Sequence, residues 1–221
     1  MNAQLILTSD NSHSIYLPEL DETYHSQHGA LAESQHVYIQ AGLMHVAQTK
    51  DSIKIFEFGL GTGLNALLTW QIAEEFSKKV VYDSVEKFPL PAEVYSQLNY
   101  ESETSAECKL KIIHSSGWNE THILSPCYVF QKAACDVLDF AFPDLYYDLV
   151  YYDAFGPSKQ SEVWEMPVLE KVCQAVVPNG VLVTYCSQGQ FRRNLKELGF
   201  EIEKLAGPKG KREITRATKI R

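Results

Sequence analysis

Residues 56 to 65 read Phe56-Glu57-Phe58-Gly59-Leu60-Gly61-Thr62-Gly63-Leu64-Asn65. Three glycines at alternate positions let the backbone turn sharply. Without Cβ atoms they also let a ligand come close. The spacing is G-x-G-x-G with an acid two residues ahead of it. In the dinucleotide fingerprint G-x-G-x-x-G the third glycine would fall at Leu64. The pattern fits a strand–turn–helix cradle for a nucleoside cofactor without a pyrophosphate, of which S-adenosylmethionine is the commonest. The helix opening after Gly63 points free N–H groups and a positive dipole end at the ligand, which suits the methionine carboxylate. Asn65 adds a side-chain donor there or caps the helix. Glu57 is placed to hold the cofactor's ammonium, directly or through water.

Other acids stand at the ends of β-type runs. Glu86, in Val85-Glu86-Lys87, lies 23 residues after Gly63. That is near the ~20-residue interval at which an acid accepts both ribose hydroxyls. Lys87 shares this tip and is grouped with the cofactor site. Asp136, after Cys135, either accepts from the adenine amino group or caps a helix. Asp153 leaves the apolar run Leu149-Val150-Tyr151-Tyr152 together with Phe155 and Pro157. A turn explains a glycine and a proline. It does not ask for a carboxylate, so Asp153 is read as the catalytic residue facing the transferable methyl, on a loop of the kind that carries function.

The elements that must hold these residues alternate. Leu5–Thr8 and Ser14–Leu17 flank Asp10-Asn11-Ser12 as an N-terminal hairpin. Residues 31–47 read as a helix broken or bent near Gly42. β-type runs follow at 53–58, 80–86, 127–134, 148–153, 180–187, 199–205 and 213–218, with helical patterns at 64–76, 91–99, 166–177 and 189–197. Pro167 suits a first helical turn, and Pro178-Asn179-Gly180 stops that helix. The alternation predicts an α/β fold with a mostly parallel seven-stranded sheet covered on both faces. The last two runs are joined only by Ala206-Gly207-Pro208-Lys209-Gly210, which predicts an antiparallel hairpin at one edge. Residues 1–50 are read as an N-terminal extension packed on a core domain of residues 51–221.

Composition sets outer limits. At 221 residues and 45% apolar content, one globular unit with a sizeable core is expected. No run of about 18 apolar residues is present, so no membrane span is expected. The N-terminus lacks the pattern of a signal peptide, which together with five scattered cysteines favours the cytoplasm. None of Cys108, Cys127, Cys135, Cys173 and Cys186 forms a C-x-x-C pair, so neither a zinc site nor a disulfide framework is expected; buried free thiols are. The net charge of −8 is unevenly spread. Residues 181–221 hold ten Lys or Arg and four Asp or Glu, a net of +6, which leaves −14 for residues 1–180. A basic end on an acidic body either binds a phosphate backbone locally or is a solvated tail.

Several runs, taken in order, resemble one family. They are Glu22-Thr23-Tyr24-His25-Ser26, Glu33-Ser34-Gln35-His36-Val37, the glycine turn, Glu86-Lys87-Phe88-Pro89-Leu90 and Asp153-Ala154-Phe155-Gly156-Pro157. Trp164, Gln190-Phe191-Arg192-Arg193-Asn194-Leu195 and Gly210-Lys211-Arg212-Glu213 complete the set. From about residue 10 to the C-terminus the chain resembles the tRNA wobble-uridine methyltransferases related to the methyltransferase half of bacterial MnmC. One departure is Leu60, where relatives often carry Phe; it alters packing behind the turn.

The resemblance implies a Rossmann-like, S-adenosylmethionine-dependent methyltransferase. Its substrate would be the exocyclic amine of 5-aminomethyluridine, often 2-thiolated, at the tRNA wobble position, and its product 5-methylaminomethyluridine. The two-domain relatives carry a flavin oxidase that prepares the amine. With no second glycine fingerprint in this chain, no such oxidase is expected, and coupling to enzymes that supply the aminomethyl group is implied. Asp153 would orient the amine and accept or relay its proton. At an ordinary Asp pKa near ~4, orientation outweighs general base catalysis. Phe155 and nearby tyrosines would stack on the base or simply fill the core. Tyr24, His25 and Ser26 would line the substrate side. Lys209, Lys211 and Arg212, on a glycine-rich loop, and Arg192 and Arg193, at a helix start, would neutralise anticodon phosphates. The alternatives are methyl transfer to a small amine or a protein side chain, and a cofactor-binding scaffold without catalysis.

Overall fold

The computed structural model describes residues 3–220. The chain opens with three short strands, β1 (Gln4–Leu7), β2 (His13–Leu17) and β3 (Glu22–Thr23), paired antiparallel in that order. A helical segment follows: α1 (Ala30–Ser34), a π-helix over Gln35–Leu43, and α2 (Met44–Val46). The expected break near Gly42 is therefore a rewinding. A Cβ on Gly42 would lie 2.9 Å from Val183 Cγ2 and 3.3 Å from the Tyr151 ring, so the missing side chain lets the π-helix lie close against the sheet. Extended π-helix is rare and is often found at functional sites.

The remaining elements are β4 (Ser52–Phe58), α3 (Leu64–Glu75), β5 (Lys79–Val85), α4 (Ala92–Tyr95), α5 (Tyr100–Thr104) and α6 (Lys109–Ser115). Then come β6 (Thr121–Ser125), β7 (Tyr128–Ala133), β8 (Tyr147–Tyr152), α7 (Met166–Ala175), β9 (Val176–Thr184), α8 (Gly189–Glu197), β10 (Phe200–Ala206) and β11 (Glu213–Lys219). The main sheet runs β10-β11-β9-β8-β4-β5-β7-β6. All seven expected strands are present, the five central ones are parallel, and β10 and β11 form the expected antiparallel edge hairpin. The eighth strand, β6, pairs antiparallel with β7 at the other edge. Its residues are mostly solvated, so no apolar alternation announces it.

Strand order reverses beside β4. From it the chain runs outward through β5 and β7 on one side and through β8 and β9 on the other. In such sheets ligands bind beyond the carboxyl ends of the strands at this switch point. All six residues of β8 are buried, as befits a central strand covered on both faces. Leu149 and Tyr151 belong to one core, while Tyr147, Val150 and Tyr152 belong to the other. In α7, Val168, Leu169, Val172 and Ala175 are buried as the periodicity predicts. Each Val or Leu there contributes on the order of 1.5–3 kcal/mol. The Pro178-Asn179-Gly180 stop is the irregular start of β9, where the register against β8 shifts. The helix expected at 91–99 is only the short α4, and α5 and α6 follow it. Of the five free cysteines only Cys173 and Cys186 are buried, whereas Cys108 is exposed.

Candidate active site

The glycine turn follows β4 and feeds α3. Gly59, Gly61 and Gly63 all adopt positive φ, at +85°, +52° and +76°. These are left-handed values that favour glycine. Each is also closely approached. A Cβ would lie 3.4 Å from the Asp153 carbonyl oxygen at Gly59, 3.1 Å from the Tyr24 ring at Gly61 and 3.0 Å from His114 Nε2 at Gly63. Thr62 is gripped from two sides. Its hydroxyl meets His25 Nε2 at 2.8 Å, and its carbonyl accepts from His114 Nε2 at 3.0 Å. Burial pushes both imidazoles down to a pKa of about 4, so both are neutral near pH 7.

A cavity of about 600 Å³ lies over the turn. At one end Glu86 lies among its lining residues. Its Oε2 accepts the Gly61 N–H at 2.9 Å and its Oε1 the Phe88 N–H at 2.8 Å. Burial raises its pKa while these backbone donors oppose the shift. Lys87 and Asp136 form a 2.8 Å ion pair that lies among the residues lining this end. Asp136 Oδ1 also accepts the Leu138 N–H at 3.0 Å, which closes a turn; no helix follows for it to cap.

Asp153 lies among the cavity-lining residues on the other side of the turn, directly after β8, whose Tyr152 is paired with Phe58 of β4. Tyr38 of the π-helix donates to Oδ1 at 2.5 Å and Asn65 Nδ2 donates to Oδ2 at 2.7 Å. Burial raises the carboxyl to a pKa of about 7, and the Tyr38 and Asn65 donors temper the rise. The ordinary value near 4 used in the sequence reading is therefore corrected, and a carboxyl that titrates near neutrality is a competent proton acceptor. The loop behind it is pinned. Tyr185 donates to the Ala154 carbonyl at 2.7 Å and Trp164 Nε1 to the Phe155 carbonyl at 2.7 Å. Phe155 meets Tyr24 edge to face, with ring centroids 5.0 Å apart.

Some expected residues lie outside the cavity wall, and others in it have protein partners. Glu57 is not in the cavity wall. Strand alternation turns it to the face of Ile53 and Ile55, where it is fully buried and receives Ser84 Oγ at 3.2 Å. Asn65 lines the cavity, and one of its two N–H donors goes to Asp153. His25 lies among the cavity-lining residues and, largely buried, also fastens the turn. Ser26 lies among the lining residues, its N–H donating to Glu33 Oε2 at 2.8 Å, whereas Pro157 is not among them. Arg192 is no phosphate ligand. Its guanidinium is buried and donates to Thr215 Oγ1, Glu213 Oε2 and the Ile214 carbonyl. Lys211 turns inward, 2.5 Å from Glu33 Oε1 and 3.8 Å above the centre of the Tyr185 ring. Arg193, Lys209 and Arg212 remain exposed.

Sequence reasoning missed Tyr38, Glu33, His114 and Tyr185. Tyr38 lies 115 residues from its partner, inside an apolar helical run that reads as core. Glu33 carried one legible signal, an acid on the buried side of a helix.

The residues present fit an S-adenosylmethionine-type cofactor. Gly59 and Gly61 of the turn line the cavity, Glu86 beside them is tied to the backbone, and Asn65 Oδ1 is a buried acceptor without a partner. Among the described residues no cluster able to hold a metal ion is present, and no helix is long and apolar enough to cross a membrane.

Comparison with known proteins agrees. A family model described as S-adenosyl-L-methionine-dependent methyltransferase matches residues 130–220. The chain is 30% identical to the tRNA 5-methylaminomethyl-2-thiouridine biosynthesis bifunctional protein MnmC of Cupriavidus metallidurans, over 96% of this chain and 33% of that one. It is 29% identical to the protein of the same description from Leptospira interrogans, over 95% of this chain and 34% of that one. The chain thus spans about a third of the length of these relatives. In structure it resembles MnmC2 from Aquifex aeolicus, with a TM-score of 0.82 and 22% identity, covering 100% of this chain and 70% of that one. These are the relatives to which the motifs pointed.

Proposed function

We propose that the chain is an S-adenosylmethionine-dependent methyltransferase that methylates the exocyclic amine of 5-aminomethyluridine, with or without 2-thiolation, at the tRNA wobble position, a reading supported by the family-model match and the similarity to MnmC proteins. The observation that carries this reading is Asp153, a carboxyl with a pKa near 7 held by two donors beside the glycine turn. The similarity of nearly the whole chain to MnmC proteins directs the choice of acceptor.

The bound cofactor supplies an electrophilic methyl on a positively charged sulfur. The chain's task is to bring a neutral amine in line with it and to take away one proton, so positioning dominates. Tyr38 and Asn65 fix the carboxylate plane of Asp153. Each carboxylate oxygen keeps a second lone-pair direction, so one remains for the amine N–H. Asp153 orients that amine and accepts its proton. Tyr24 and Phe155 form an aromatic wall that excludes water and offers a face to the uracil. At the other end Glu86 accepts the ribose hydroxyls, with Gly59, Gly61 and Gly63 underneath, and Asp136 accepts from the adenine amino group while Lys87 neutralises it. Exposed Arg193, Lys209 and Arg212 meet the anticodon phosphates, and enzymes that form the aminomethyl group supply the substrate.

The test is nucleoside analysis of tRNA bearing 5-aminomethyluridine after incubation with this protein and methyl-labelled S-adenosylmethionine. Label in 5-methylaminomethyluridine is expected. Label in another nucleoside, or none, refutes the assignment.

A further inference from the structure

Glu57 is an acid of the glycine-turn region that the chemistry above leaves unused. It lies fully inside the protein. Asn65, which donates to Asp153 Oδ2 at 2.7 Å, also lies against the Glu57 carboxyl, so one carboxamide stands between two carboxyls. The two differ in surroundings. Glu57 is sealed in, whereas Asp153 lines the cavity.

The groups facing Glu57 are Tyr82 and Ser84 from β5, Asn65 from α3, Tyr128 from β7, Tyr151 from β8 and Asp153 at the tip of β8. None is a cation. Asp153 is faced by Tyr38 from the π-helix, Glu33 from α1, Tyr185 after β9 and Lys211 from the β10–β11 loop. Glu57 Oε1, Asn65 Oδ1 and the Tyr82 hydroxyl are buried without a hydrogen-bond partner. The neutral groups Tyr82, Asn65 and Ser84 beside Glu57 favour its charged form, but burial opposes them and is the larger effect. Glu57 has no cation beside it whereas Asp153 has Lys211, so of these two neighbouring carboxyls Glu57 is the one that ionises less readily.

We propose that Glu57 and Asp153 form a coupled pair that holds one proton across the Asn65 carboxamide, with Glu57 as the positioning residue that keeps the proton. Asp153 is then the member free to take a proton from the acceptor amine, and Glu57 neither gains nor loses one during the reaction. The inference rests on the assignment of Asp153 to the acceptor side. Burial holds the Glu57 carboxyl well above the usual range, while Asp153, with Tyr38, Asn65 and Lys211 beside it, stops at about 7. The conservative isostere of the neutral acid is glutamine.

Carboxyl carbon NMR of the full unmutated chain, titrated from about pH 5 to about pH 9 without substrate, reads both groups directly. E57Q and D153N assign the two resonances. Glu57 is expected to stay protonated across the range in which Asp153 titrates, near 7, and in E57Q the Asp153 midpoint is expected to move by less than about half a unit. An ionised Glu57 at pH 7 overturns the pair, as does an Asp153 midpoint that falls by a unit or more in E57Q. If E57Q does not fold, D153N assigns the resonances and the unmutated titration decides. Failure to methylate tRNA with this titration intact would sink the substrate assignment alone. Methylation with an ionised Glu57 would sink the pair alone.

Discussion

Replacing Tyr38 with Phe removes one hydroxyl, and with it the 2.5 Å hydrogen bond to Asp153 Oδ1. That donor opposes the burial that raises the carboxyl, so losing it moves the pKa further up. A hydrogen bond to a charged group is worth about 1.5–3 kcal/mol net, and about 1.4 kcal/mol corresponds to one pKa unit. Even the lower figure takes the midpoint from about 7 to roughly 8. At pH 7 the ionised fraction would then drop from about a half to about a tenth, a loss of roughly fivefold. At about pH 9 most of that loss should disappear. The assay is kcat/KM for methyl transfer measured across this range for the unmutated chain and Tyr38→Phe, with the acid limb fitted. A fall in activity of the same size at every pH, or an acid limb that stays put or moves down, would refute the assignment of Tyr38 as the donor that tunes Asp153.

Other expectations can be checked separately. Glu86→Gln should weaken cofactor binding by roughly 10- to 100-fold, read by calorimetric titration, because charge-assisted hydrogen bonds are lost. Arg192→Ala should lower stability by about 2–4 kcal/mol in urea unfolding, since a buried guanidinium leaves three acceptors unpaired. Lys209→Ala and Arg212→Ala should leave stability nearly unchanged, weaken tRNA binding and each reduce the salt slope by about one; unaltered salt slopes would remove them from the interface. The histidines predict acid sensitivity. His25 and His114 titrate near 4 when folded and near 6.5 when unfolded, so below about 6.5 the unfolded chain binds protons that the folded chain refuses. Stability is therefore held above that pH and lost as pH falls from about 6.5 towards 4. Replacement of His114 by Gln should flatten the decline, and an equally steep one would contradict the two-sided grip on Thr62.

What could be read from the chain alone follows a physical pattern. The glycine turn was legible because positive φ values at 59, 61 and 63 leave glycine as the favoured residue. Asp153 was legible because a carboxylate at the end of an apolar strand is costly without a use. The parallel sheet followed from alternating periods. Pairing was not legible. Arg192, Lys211 and Arg193 look alike in sequence, yet one is locked inside, one reaches into the cavity and one faces water. Likewise Glu57 and Glu86 both stand near strand ends. The first lies inside β4, paired with Ser84, and is buried, while the second lies just past the end of β5 and reaches the cavity. Tyr38 depended on a π-helix, a winding that no apolar periodicity announces.

The loop between β10 and β11 carries cations in two directions. Lys209 and Arg212 face solvent, whereas Lys211 reaches Glu33 and the Tyr185 ring in the cavity. The ring of His28, from the N-terminal segment, packs over Gly210, where a Cβ would lie 2.0 Å from it. The loop is thus a short rigid lever with one arm outside and one arm inside. If the outer arm holds an RNA backbone as proposed above and the loop moves as a unit, reciprocity requires that an acceptor seated in the cavity change RNA affinity by the same factor by which RNA changes acceptor affinity.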